Sequence, residues 1–169
     1  MKLSILALVA LLALSLAGGV DPIKASSVKW TGHFGSSEAD SHTTFCLMAR
    51  GAFRTPTKDI ETVTAEWLKK HPNAVLVAVS STMPFIVKDP QSKLTFVWIV
   101  DGSETLNLEL VRRGCFHPAT QIIGNDQKLE ISRPDYEAFT KKLTVAADYA
   151  YDHKRGLWSE PEEPDNPND

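Results

Sequence analysis

The sequence predicts an α+β fold built on a small, strongly bent sheet with three helices. Three observations carry that expectation. Two β-rich segments near the start are separated by a polar loop, a helix with one apolar stripe precedes a second pair of strands, and two further helices close the chain.

Ser27-Val-Lys-Trp-Thr-Gly-His-Phe34 alternates polar and apolar residues, and Thr43-Thr-Phe-Cys-Leu-Met48 is rich in β-formers. With Gly35 to Ser41 between them, the pair reads as a hairpin with a polar loop. Thr55-Pro56 then opens a helix, because proline is tolerated in a first turn where its missing N–H has no partner to lose. Ile60, Val63, Trp67 and Leu68 share one face of that helix, and His71-Pro72-Asn73 stops it. Ala74 to Val79 is too short and too β-branched for another helix and reads as a buried strand. Pro84 to Val87 reads as a short edge strand, since proline has no N–H to give a ladder and so argues against a central place.

Leu94 to Val100 is a further strand, ending at the turn Asp101-Gly102. Leu106, Leu110 and Val111 then share a helical face, with Arg112 and Arg113 near the negative end of the helix dipole and Gly114 as the stop. Ile122-Ile123-Gly124 fits no element. Ser132-Arg-Pro-Asp135 has the look of a capping box, and the long helix after it carries Tyr136, Phe139, Leu143, Ala147 and Ala150 on one stripe. Gly156, after Lys154-Arg155, is expected to close it.

The two ends read differently from this body. Lys2, an apolar run from Leu3 to Leu14 and the small residues of Ser15-Leu16-Ala17 have the order of a secretory signal peptide over residues 1–17, with cleavage after Ala17. The run is shorter than the roughly 20 residues a membrane span needs, so the mature chain is expected to be secreted or periplasmic and to have no transmembrane helix. Residues 159–169 hold five acids and three prolines and no apolar residue, which predicts an acidic, disordered tail. Residues 18–158 then form one domain.

The whole chain has 18 basic and 21 acidic residues. Setting aside Lys2 and the five tail acids leaves seventeen basic against sixteen acidic, so the body lacks the basic excess of a protein that grips phosphate chains. Cys46 and Cys115 are the two cysteines; in an exported protein they fit either a disulfide or two core thiols. No Cys or His pair has zinc-ligand spacing.

Asn107-Leu-Glu-Leu-Val-Arg-Arg-Gly114, just after a strand and an Asp-Gly turn, is similar to the N-x-x-L-V-x-x-G segment of the staphylococcal-nuclease, or thermonuclease-like, family. His153-Lys-Arg-Gly-Leu-Trp-Ser-Glu160 resembles that family's closing K-x-x-x-L/I-W helix end. Asp89-Pro-Gln-Ser-Lys-Leu94 stands where the family has D-x-x-G-R, and Ser27-Val-Lys-Trp with Thr44-Phe-Cys-Leu looks like its first hairpin. The resemblance covers residues 24 to 160 and implies an OB-type β-barrel with three helices. Taken singly, Leu110, Val111 and Gly114 would look the same in any packed helix, and Trp158 in any core; the agreement lies in their order.

Active members of that family cleave phosphodiesters with a calcium ion on carboxylates, a glutamate that handles the attacking water, and two arginines on the phosphate. Calcium takes hard oxygen ligands, and the growing phosphoryl charge needs fixed positive partners. By the resemblance, Ser26 stands for the first calcium aspartate, Cys46 for the first arginine, Gly51 for the second aspartate, Arg54 for the glutamate and Lys93 for the second arginine. None of the five is retained. Serine and glycine offer calcium no negative charge, and an arginine stays protonated and cannot act as a base. The resemblance therefore implies a pseudoenzyme with no cofactor.

Arg50, Arg54 and Lys93 are candidates for an anion-binding patch at the barrel mouth, a surface that OB folds use for nucleic acids and sugars. Glu38, Asp40 and His42 share a loop with metal-compatible spacing, which also suits a solvated turn. Trp30, Phe34, Trp67, Phe96 and Trp98 are expected in the core rather than stacked on bases. Three functions stay open at this level: a non-catalytic binding module for nucleic acid, a small anion or an envelope protein; a calcium-dependent nuclease on DNA or RNA; and a structural protein of the cell envelope.

Overall fold

A computed structural model describes residues 22–47, 59–82, 90–118 and 128–159. The proposed signal peptide, the acidic tail beyond Ser159, the opening of the first helix at Thr55-Pro56, the edge strand at Pro84 to Val87 and Ile122-Ile123-Gly124 lie outside them. Among the described residues the fold is α+β, with one six-stranded open sheet and three helices. Among the described residues no helix is long and apolar enough to cross a membrane.

The strands are β1 (Lys29–Thr31), β2 (Phe34–Ser37), β3 (Asp40–Cys46), β4 (Val75–Thr82), β5 (Lys93–Asp101) and β6 (Glu104–Thr105). The helices are α1 (Ile60–Lys70), α2 (Leu106–Arg112) and α3 (Arg133–Asp152). The order across the sheet is β1-β2-β3-β5-β4, with β6 attached to β5. Every pairing is antiparallel except β3 with β5, which run parallel with Thr43 opposite Lys93 and Cys46 opposite Phe96.

The first third differs from the single hairpin that the sequence predicts. Residues 27–34 break at Gly32-His33, where glycine takes φ 58 and turns β1 into β2. The supposed polar loop supplies β2 and the start of β3, joined across Glu38-Ala39 with a bulge after Ser36. Ladder hydrogen bonds on both sides of β2 outweigh the poor β-propensity of its serines. The turn is fixed from outside, because the Gly32 amide donates to Glu61 Oε1 at 2.7 Å and so ties it to α1.

At the far edge the chain comes back on itself. Just before β1, Leu76 N donates to the Ile23 carbonyl at 2.9 Å and Ala25 N to the Ala74 carbonyl at 2.8 Å, around a single bridge between Lys24 and Val75. The segment ahead of β1 is thereby bonded to β4, while the strands themselves remain an open sequence of neighbours. β4 itself is half-buried over most of its length, buried only at Val79 and Ser80, rather than the buried strand its apolar run suggests.

β5 is buried on both faces from Thr95 to Ile99, which explains its unbroken apolar run. Trp98 lies 3.9 Å from the Phe139 ring of α3, while Val97 and Ile99 join the main core with Leu106, Leu110, Val111, Phe116 and Leu143. Each such side chain, fully buried, stabilises the fold by roughly 1.5–3 kcal/mol. Asn107 sits among them, completely buried. Its Oδ1 accepts from Ile99 N at 3.0 Å and its Nδ2 donates to the Val97 carbonyl at 3.1 Å, which fixes α2 to β5 at one register.

α3 starts as the sequence predicts: Ser132 is the N-cap, its Oγ accepting from Asp135 N at 3.2 Å with proline in the first turn. Its stripe from Tyr136 to Ala150 is buried. It does not end through Gly156. Lys154 takes the left-handed position at φ 49, Arg155 N donates to the Ala150 carbonyl and Lys154 N to that of Tyr151, the pattern usually built on glycine. Gly156 is reserved for a close approach to Gly114. Trp67, Phe96 and Trp98 are core residues as expected and Trp30 packs against the core, but Phe34 is 43% exposed beside the His33 ring.

Candidate functional site

Of the positions that the resemblance singles out, Ser26, Cys46 and Lys93 are described, whereas Arg50, Gly51 and Arg54 lie outside the described residues. Ser26 is exposed on the one-turn 3-10 segment Ala25–Ser27 ahead of β1. Cys46 ends β3 and is buried at 3% exposure. Lys93 begins β5 opposite Thr43, three residues from the level of Cys46, or about 10 Å along a strand. Neighbouring strands thus carry Cys46 and Lys93 at different heights, one inside and one outside. Cys46 and Cys115 are both buried, and the structure holds them as thiols.

Lys93 Nζ lies 3.8 Å from Glu130 Oε1, with both side chains partly exposed. That carboxylate also accepts a hydrogen bond from Ser81 Oγ. The Ser81 hydroxyl has one proton, so Thr95, 3.2 Å away, donates to it. Glu130 is placed by its own amide, which donates to the Val79 carbonyl at 2.8 Å. No sequence signal marked Glu130, which precedes α3 outside any periodic segment. The pair adds little to stability at this exposure, yet it gives the lysine a local anion.

In the β2–β3 turn, Asp40 Oδ1 accepts from the amides of His42 and Thr43 at 3.0 and 3.1 Å. Hydrogen bonding from the Thr43 side chain, followed by these amides, holds its carboxyl below the usual range. The carboxylate is thus engaged in turn formation. Among the described residues no group of three or more His, Cys, Asp or Glu side chains could hold a metal ion. His33, packed against Phe34 and 6.2 Å from the Phe116 ring, is held below the ordinary histidine pKa by burial.

A hollow of about 660 Å³ lies elsewhere, between α1, α2 and the end of α3. Arg113 bridges two of its acids, Nε to Glu109 Oε1 at 2.7 Å and Nη1 to Glu66 Oε2 at 3.6 Å. The Glu109 hydrogen bond raises the Arg113 pKa further above its ordinary value. Arg112 and Arg155 instead both approach Tyr149, their guanidinium carbons 4.3 and 4.9 Å from its ring centre. His153 stacks on the same ring at 4.0 Å. A second hollow of about 350 Å³ adjoins the first and shares Glu109, Arg112 and Tyr149. The sequence marked Arg112 and Arg113 only as helix-end charges; their meeting with Arg155 depends on how α2 and α3 pack.

No family model and no curated protein matches this chain.

Proposed function

We propose that this chain is an exported, non-catalytic domain of the thermonuclease-like kind, an OB-type barrel that serves as a binding module. The strand order supports the reading. Three antiparallel strands, a helix, three further strands of which β5 runs parallel to β3, and two closing helices follow the layout expected of that family. The bridge from Lys24 to Val75 supports a barrel, since it brings the segment leading into β1 against β4. Export rests on the charge and apolar order of residues 1–17.

The observation that carries the absence of nuclease chemistry is the state of the three described positions. A calcium ion and a phosphodiester need carboxylates and open cations. Here an exposed serine, a buried thiol and a lysine facing Glu130 stand in those places. A hydroxyl and a thiol bring no negative oxygen, and Glu130 offsets the charge that Lys93 would offer a phosphate.

Incubating the purified mature chain with single-stranded DNA in the presence and absence of Ca²⁺ tests the proposal. The expected result is no cleavage in either condition. Cleavage that appears with Ca²⁺ and disappears with a chelator would establish the nuclease alternative instead.

A further inference from the structure

We propose that the hollow between α1, α2 and the end of α3 binds a phosphate-bearing small molecule, with Arg112 and Arg155 as its two cationic arms. The inference rests on this geometry alone and stands or falls apart from the fate of the nuclease positions. Two guanidinium carbons lie 4.3 and 4.9 Å from one point, the centre of the Tyr149 ring, although one comes from the end of α2 and the other from the turn after α3.

The charges of this lining balance, Asp59, Glu66 and Glu109 against Arg112, Arg113 and Arg155, but their pairing is uneven. Glu66 and Glu109 are both engaged by Arg113, which leaves Asp59 as the remaining acid of this wall against Arg112 and Arg155. Among the described residues no carboxylate lies within ion-pair reach of either arginine. The ring face attracts each cation but carries no net charge, so their mutual repulsion is only partly relieved. A phosphate group would bring negative charge to both, and its oxygens match the planar donor fork of a guanidinium.

The size of the recess sets the ligand class. At about 660 Å³ it falls within the range of roughly 300–1,000 Å³ usual for small-molecule sites. The adjoining hollow shares Arg112 and Tyr149 and gives room for the rest of the ligand. A nucleic-acid strand would call for a basic stripe along a face. The near-neutral body and the two arms gathered at a recess favour a small phosphate ester.

Calorimetric titration of the full chain with inorganic pyrophosphate at low salt provides the test. Saturable binding is expected. Arg112→Gln and Arg155→Gln should each weaken it by about ten-fold or more, since each removes one charged fork, while Arg112→Lys should fall between them and the parent. Lys70→Gln removes an equal charge from a residue that lines neither hollow and should leave affinity unchanged. Melting curves establish that each variant is folded; because Arg112→Lys keeps the charge, it reports on the fork even where a glutamine variant does not fold. Absence of saturable binding to the parent chain, or an equal loss in Lys70→Gln, would overturn the proposal.

Discussion

Gly114 and Gly156 meet backbone to backbone where α2 ends against the turn after α3. The Gly114 carbonyl accepts a hydrogen bond from Leu157 N at 2.9 Å. A Cβ on Gly114 would run into the Arg155 carbonyl oxygen, and one on Gly156 would lie 2.5 Å from the Gly114 oxygen. Both residues also take positive φ, 72 and 53. This contact sets the distance between the two helix ends and so brings Arg155 to the ring that Arg112 also approaches.

Alanine at either position is therefore expected to cost about 3 kcal/mol, because backbone strain and a collision with fixed backbone act together. Gly102→Ala is the matched comparison. It has a similar φ of 58 with nothing within 4 Å of the added carbon, so only the conformational cost of roughly 1–2 kcal/mol applies. Urea unfolding of the three variants checks the order.

Asn107→Ala is expected to lose about 2 kcal/mol or more, since it leaves the Ile99 amide and the Val97 carbonyl without the side chain that bonds them. Asn107→Leu restores the volume and should be no better. A leucine variant as stable as the parent would mean that packing, rather than hydrogen bonding, holds α2 to β5; chemical denaturation distinguishes the two.

Lys154→Gly is expected to stabilise the protein by about 1 kcal/mol, by relieving a left-handed residue that carries a side chain. A rise in the thermal midpoint is the measurement.

Stability is also expected to depend on pH through His33. Burial lowers its pKa in the folded state, so the unfolded chain binds the proton first as pH falls below about 6.5. The contribution is complete above that value and is lost as pH drops through the folded-state pKa. Unfolding midpoints measured from about pH 7 down to about pH 5 should fall for the parent and fall less for His33→Gln.

Much of this architecture could be read before any coordinates. The stripe of α3, its Ser132 cap and the end of α1 at His71 follow from local periodicity and capping chemistry, which act over a few residues and leave a mark in the order of the chain. β2 did not leave such a mark, because Gly35-Ser36-Ser37 is held by ladders to β1 and β3 rather than by its own preference. Phe34 went the same way: hydrophobicity suggested a core residue, but its place on an edge hairpin leaves it exposed.

The sequence by itself determined an α+β chain and the charge types present, since these depend on composition and near neighbours. Only the tertiary structure decided that Glu130 faces Lys93, that Asn107 clasps β5 and that Arg112, Arg155 and Tyr149 share one recess. Those meetings join residues far apart along the chain. Helix packing and backbone approach set them, and the spacing of residues in a sequence carries no direct record of either.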